Sequence, residues 1–336
     1  MKLPPHLSFA HLPTPLEPLP RLSAHLGSAE IWIKRDDQTG LAGGGNKTRK
    51  LEYLLAEAQA LGARIIITGG APQSNHCRQT AAAAARSGFR CVLVLRGDPP
   101  DKITGNILLD QLLGAEIVWT RGESREAVMQ ATYEKEKAAG HDPYLIPIGG
   151  SNRIGAASYA AAVQELADQI ISPPLSSVFL DGGGVKGGGF TRICFASSSG
   201  GTHAGLAVGA KAVMPRIEVL GFSVDEPLDE LKTNVARLAT ETASLLELPF
   251  SFSPADIRAN ADYIGAGYAL MGDRERETIR SLAQLEGILV DPVYTGKAFG
   301  GMIDLIRRGV IGKEERVLFW HTGGGPALFA YAEQLV

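Results

Sequence analysis

A chain of 336 residues with 45% hydrophobic and 21% charged side chains has the composition of an ordinary globular protein and is long enough for two hydrophobic cores. The net charge of −3 and the lack of a long basic run exclude a nucleic-acid partner. No apolar run nears the roughly 18 residues of a membrane span, and no basic-then-apolar leader opens the chain. Cys77, Cys91 and Cys194 are scattered with no C-x-x-C pair, which argues against a disulfide framework or a structural zinc and points to a reducing, cytoplasmic compartment.

The elements alternate between strand and helix. Gly43-Gly-Gly-Asn-Lys-Thr-Arg-Lys50 opens a helix whose apolar positions Leu51, Leu54, Leu55 and Ala58 share one face. Ile65–Thr68 predicts a strand ending in Gly69-Gly70, and His76–Ser87 an alanine-rich helix stopped by Gly88. Strands follow at Cys91–Leu95, Glu116–Trp119 and Tyr144–Ile148. Helices lie between them at Asn106–Leu113 and from the cap Ser124 to about Gly140. The second half repeats the style. Strands are predicted at Ile193–Ala196, Ile217–Phe222, Ile288–Val290 and Val317–Trp320, and helices at Thr202–Val213, Leu228–Leu246, Asp273–Glu286 and Gly296–Arg308. Short links between such units predict mostly parallel sheets covered by helices on both faces. The Gly-rich stretch Leu180–Phe190, with two Gly triplets around Val185-Lys186, reads as a flexible surface loop.

Four segments carry chemistry. Ser197-Ser-Ser-Gly-Gly-Thr-His-Ala-Gly205 is a strand–loop–helix junction whose small residues and hydroxyls, with the positive end of a helix dipole, suit a single phosphate. It is neither a Walker A loop nor a G-x-G-x-x-G fingerprint, and a plain tight turn has the same composition. Lys47 and Lys50 fall in a first helical turn, where the dipole disfavours a cation. That makes a lysine there a candidate for a depressed pKa and a Schiff base, although a solvated helix start reads the same way. Gln73-Ser-Asn-His76 gathers polar groups at the end of a parallel strand, where a substrate carboxylate can meet a helix N-terminus. An ordinary cap by Ser74 or Asn75 is the plainer alternative. Asp291-Pro-Val-Tyr-Thr-Gly-Lys297 places Tyr294 and Thr295 at a strand-to-helix turn, as a substrate contact, an acid–base group or a packed ring.

Together with Lys34-Arg-Asp-Asp37, Thr202-His-Ala-Gly205 and His321-Thr-Gly-Gly-Gly-Pro326, these segments resemble the fold-type II pyridoxal 5′-phosphate (PLP) enzymes of the 1-aminocyclopropane-1-carboxylate (ACC) deaminase and D-cysteine desulfhydrase group. The matching stretches run from the N-terminal region to the last strand. The resemblance implies a two-domain, tryptophan synthase β-like α/β fold. Residues 1–49 with 160–336 would form the larger PLP-binding domain and residues 50–159 the smaller one, with the active site in the cleft between them. It further implies that Lys47 is the Schiff-base lysine and shuttles the α-proton, and that Ser199, Gly200, Gly201 and Thr202 cradle the phosphate. Asn75 would bond the ring hydroxyl oxygen. Ser74 with Gln73, Asn75 and His76 would hold the substrate carboxylate, Ser74 also being a candidate in catalysis. Tyr294 and Tyr268 would face the substrate.

ACC deaminases carry Glu and Leu where this chain has Thr295 and Thr322. A hydroxyl beside the pyridine nitrogen leaves it neutral, a weaker electron sink than a carboxylate would create, and this suits loss of a good β-leaving group. The resemblance therefore implies PLP-dependent elimination on a small β-substituted amino acid, releasing sulfide from D-cysteine, or sulfite as in the similar L-cysteate sulfo-lyases. ACC deamination or PLP binding without lyase activity are the further alternatives. Cys77 reads as packing. A homodimer is implied by resemblance alone.

Overall fold

A computed structural model describes residues 1–27, 29–172 and 189–336. The predicted loop Leu180–Phe190 therefore lies outside the described residues except for Gly189 and Phe190.

Two sheets organise the chain. The smaller has the order β5 (Glu116–Trp119), β4 (Arg90–Leu95), β3 (Ile65–Gly70), β6 (Pro143–Leu145), and every pairing is parallel. Its central strand β3 is buried at all six residues, as expected of a strand covered on both faces. Helices α2 (Lys47–Ala60), α3 (Asn75–Ser87), α4 (Gly105–Leu112) and α5 (Arg125–Ala138) accompany it. The alanines of α3 let that helix pack closely: Ala81, Ala83 and Ala84 are fully buried in one core with Leu51, Leu54 and Leu55 of α2.

The larger sheet has the order β1 (Leu16–Pro18), β2 (Glu30–Lys34), β10 (Arg316–Trp320), β7 (Arg192–Ser197), β8 (Glu218–Ser223), β9 (Arg258–Asn260). All pairings are parallel except the edge pair β1–β2. Helices α1 (Pro20–Leu26), α6 (Arg153–Ile171), α7 (Gly201–Val213), α8 (Leu228–Leu245), α9 (Asp273–Glu286) and α10 (Thr295–Arg307) flank it, and a short α11 (Ala332–Leu335) ends the chain. Among the described residues no helix is long and apolar enough to cross a membrane. Helices α6 and α7 cross at very close range. A Cβ added at Gly205 would fall 2.1 Å from the Ala156 carbonyl oxygen and 2.5 Å from Tyr159 Cβ, so the glycine of the Thr-His-Ala-Gly segment serves packing.

The structure corrects several expectations. Ile288–Val290 is not a strand. Ile288 and Val290 are buried in the large core, but the Leu289 carbonyl bonds His321 Nε2 at 2.9 Å instead of a neighbouring strand. Burial of a β-branched run does not require sheet pairing. Strands β1, β2 and β9 and helix α6 were not anticipated, since β1 and β9 have only three residues and α6 is apolar on most faces.

A buried charge network ties the N-terminal segment, α2 and α6 together. The Arg49 guanidinium on α2 donates to both oxygens of Asp36 and both of Glu165 on α6, each at 2.9 Å. Lys34 on β2 bonds Glu165 at 2.5 Å and the Thr14 carbonyl at 2.7 Å. Asp36 also accepts from Thr14, from the Tyr159 hydroxyl at 2.6 Å and from the Trp320 indole at 2.8 Å. Burial alone would raise the Asp36 carboxyl; the charge and hydrogen bonds of Arg49 outweigh it and hold the group at about 2. This network fixes α2, whose first residue is Lys47.

Candidate active site

The ends of β3, β7 and β8 open onto a cavity of about 760 Å³. Lys47 is the one lysine among the described residues on its wall. Its Nζ lies 3.0 Å from Asn46 Oδ1 and bonds no carboxylate. Enclosure by the protein, and then the Arg78 guanidinium, lower the amine to about 8, with Asp291 opposing. The sequence argument rested on the helix dipole; burial and a neighbouring cation are the larger causes here.

Ser74 and Asn75 line the same cavity. Ser74 caps α3, its Oγ accepting the Cys77 amide at 3.2 Å, so a cap and a cavity group coincide in one residue. Asn75 Oδ1 accepts from Arg78 at 2.9 Å and from Asn106 Nδ2 at 3.0 Å. Both bonds engage the oxygen, which leaves the amide nitrogen as the donor. His76 is buried, and its basicity is well below normal through burial, then Lys47 and Lys50. The hydroxyl of Thr68 gives its only proton to the Ile146 carbonyl, so the 2.9 Å contact with His76 Nε2 must have the imidazole as donor. The proton sits on Nε2, and Nδ1 is a buried acceptor with no partner.

At the opposite end, Gly200 adopts a left-handed φ of 83° and α7 begins at Gly201. The Ser199 hydroxyl lies 2.8 Å from Ser151 Oγ, and Thr202 Oγ1 accepts from Asn46 at 3.0 Å, which leaves the threonine proton free. Lys50, one turn beyond Lys47, is buried against the Gly149 carbonyl at 3.0 Å and Ser151 Oγ at 3.4 Å, with no carboxylate bonded. Burial, then Lys47, lower its basicity strongly. A Cβ at Gly201 would fall 2.9 Å from Lys50 Nζ, so the helix start and the lysine meet only because no side chain intervenes. The Ser199 and Thr202 hydroxyls on the wall, with the uncompensated Lys50 amine buried behind Gly201 and Ser151, form a donor set that fits a phosphate monoester.

The third wall carries the tyrosines. Tyr268 and Tyr294 line the cavity, with hydroxyls 2.6 Å apart and rings edge to face. Burial pushes Tyr268 up to about 12 and holds Tyr294 well above its ordinary value, so both keep their protons. Asp291 holds the turn: its carboxylate accepts the amides of Val293, Tyr294 and Thr295 and the Thr295 hydroxyl at 2.7 Å. Lys297 Nζ bonds the carbonyls of Ile264 at 2.5 Å and Gly267 at 2.7 Å, which secures the loop bearing Tyr268.

Three expected residues are not on the wall. Gly201 lies behind it, its amide donating to Ser151 Oγ at 3.1 Å. Gln73 turns away to the Asn106 amide at 2.8 Å and the Thr104 carbonyl at 3.1 Å, where it anchors the start of α4. Thr295 is fully buried behind the wall, donating to Asp291 and accepting the Asp291 amide at 2.9 Å, whereas Thr322 lines the cavity. Sequence reasoning gave Lys50 no role beside the phosphate loop, although its i, i+3 spacing from Lys47 put both on one helix face. Asp225, Arg96 and Arg125, also on the wall, carried no motif.

The chain matches the profile of the family described as "Pyridoxal-phosphate dependent enzyme" over residues 7–323. It belongs to that family. The enzyme is 43% identical over 333 residues to proteins named D-cysteine desulfhydrase from Salmonella typhimurium and Salmonella choleraesuis, covering 97% of its own length and 96% of theirs. A solved structure described as an ACC deaminase homologue superposes with a TM-score of 0.87 at 37% identity, covering 99% of this chain and 95% of that one. The enzyme is thus a two-sheet α/β protein of fold type II, and pyridoxal phosphate is its cofactor.

Proposed function

We propose that the enzyme cleaves D-cysteine by α,β-elimination: D-cysteine and water give pyruvate, hydrogen sulfide and ammonia. The observation that carries this reading is Lys47, an amine of pKa about 8 with no carboxylate partner, in one cavity with a protonated tyrosine pair. The D-cysteine desulfhydrases of near-identical length support the substrate.

In this reading Lys47 holds the cofactor. Ser199, Gly200, Thr202 and Lys50 receive its phosphate, the Asn75 amide nitrogen its ring oxygen, and the Thr322 hydroxyl its ring nitrogen. Pyridoxal phosphate, when bound, supplies an electron sink for the pair left behind when the α-proton departs. The amides and side chains of Ser74, Asn75 and His76 at the start of α3 bind the substrate carboxylate, where the helix dipole favours an anion. Lys47 Nζ takes the α-proton, since an amine lowered to about 8 has a basic fraction near neutral pH. The C–S bond breaks with its electron pair on sulfur, which leaves as hydrosulfide with the thiol's own proton, and the protonated Tyr268–Tyr294 pair donates a hydrogen bond to it. Ser74 orients the carboxylate so that the α-C–H faces Lys47.

The cavity then lies between a larger unit of residues 1–49 with 160–336 and a smaller unit of 50–159. The second belongs to the small sheet, and α6 runs across the division. Three free, buried cysteines support a reducing cytoplasm. The exposed Leu108 and Leu112, one turn apart on α4, support a homodimer.

Purified enzyme offered D-cysteine, L-cysteine, β-chloro-D-alanine, L-cysteate and ACC should release pyruvate with sulfide from D-cysteine and little 2-oxobutyrate from ACC. Product from ACC alone, or from no amino acid, would overturn the assignment.

A further inference from the structure

Two carboxylates on the cavity wall, Asp225 and Glu226, have no part in holding the cofactor or moving the α-proton; Glu226 is exposed, and Asp225 is the partly buried one. Asp225 follows β8 and lines the cavity. Its Oδ2 accepts the Ser198 hydroxyl at 2.8 Å, and its Oδ1 is shielded from solvent without a donor. Burial raises this carboxyl, while the Ser198 hydroxyl, the Glu226 backbone and Lys297 favour its charged form. The neighbouring cation offers no direct bond, because Lys297 Nζ is committed to two backbone carbonyls. The charge of Asp225 is felt at both cavity tyrosines.

The positive charges lie elsewhere on the wall. Arg96 follows β4 and Arg125 opens α5, both on the small-sheet side. Arg125 Cδ comes within 3.3 Å of a Cβ added at Gly69, and the neighbouring Gly70 lies against Ser74. Arg96, whose amide bonds the Gly70 carbonyl at 3.0 Å, thus puts positive charge near the end of the cavity proposed for the substrate carboxylate, while Arg125 there is paired with Glu126 at 3.0 Å. Negative charge flanks the tyrosines proposed to meet the leaving group.

We infer that Asp225 is a specificity-determining residue: the cavity admits small amino acids with an uncharged β-substituent and rejects those with a permanent anion there, such as a sulfonate. This rests on the proposed function, and it selects sulfide over sulfite as the sulfur product. A thiol keeps its proton at neutral pH, so it meets Asp225 without repulsion, whereas a sulfonate brings a like charge against a partly buried carboxylate.

The test uses the holoenzyme and the D225N and D225S variants. Dissociation constants for D-cysteate and D-alanine are read from the change in visible absorbance, and kcat/KM for D-cysteine and for both enantiomers of cysteate from pyruvate. Wild type should bind D-cysteate about tenfold or more weaker than D-alanine, and either substitution should close that gap by about tenfold. The cysteate to D-cysteine ratio of kcat/KM should rise by a similar factor. Unchanged ratios in a folded variant with the full cofactor spectrum would overturn the inference, and D225S serves if D225N does not fold. Failure of wild type to form pyruvate from D-cysteine would instead remove the proposed function, while the binding ratio would still judge Asp225.

Discussion

Replacing Lys47 by alanine should remove the visible absorbance of the lysine-bound cofactor and lower pyruvate formation from D-cysteine by at least about 10³-fold. Two roles vanish together in that variant, the covalent anchor and the base for the α-proton. No described neighbour can take them over. Lys50 faces the Gly149 carbonyl, Lys34 is bonded to Glu165, and Lys297 is bonded to two carbonyls. The same residue sets a pH dependence. Only the neutral amine attacks the cofactor aldehyde, so capture of added pyridoxal phosphate by the apo enzyme should accelerate as pH rises through about 8, well below the 10.5 of an ordinary lysine. Stopped-flow absorbance follows this directly, and a rate still climbing in proportion to hydroxide above pH 9 would contradict the assigned environment.

Asp36→Asn should destabilise the fold by about 3–5 kcal/mol at pH 7, the size expected when one partner of a buried ion pair is removed. Arg49 would keep Glu165 but lose one of its two bonds at position 36 together with the opposing charge, because asparagine retains a single acceptor oxygen, and Lys34 would lose a nearby anion. Urea unfolding measures the loss, and a change below about 1 kcal/mol would place the network with exposed pairs instead. The pH window follows from direction. The folded carboxyl at about 2 lies below its ordinary 3.8, so its contribution is complete above pH 4 and disappears as pH falls toward 2. The wild type should therefore lose stability over that range, and the variant should lose less.

Much of the fold was legible because parallel strands and amphipathic helices have distinct periodicities and this chain punctuates them with glycine. What escaped has physical reasons. Strands β1 and β9 are too short to show alternation, and α6 is buried on too many sides to show a stripe. Ile288–Val290 has strand-like residues, but His321 takes the backbone contact. Within the site, Lys47, Ser74, Asn75, His76, Ser199, Gly200, Thr202, Tyr268, Tyr294 and Thr322 do share one cavity. Gln73 and Thr295 face away because each meets a nearer backbone group: the start of α4 for one, the Asp291 turn for the other. Neither choice is visible in a motif, since both positions lie within a residue of the wall. Lys50 and Asp225 could not be read from spacing alone, because their roles depend on which distant loops the two sheets bring together.

The cofactor anchor is the claim on which the rest depends. Holoenzyme reduced with borohydride fixes the cofactor to the amine that carries it, and mass mapping of the digested chain then locates that amine. The modification should fall on Lys47 in full stoichiometry. Modification at Lys50, Lys34 or Lys297, or on no lysine, would contradict this account of the site.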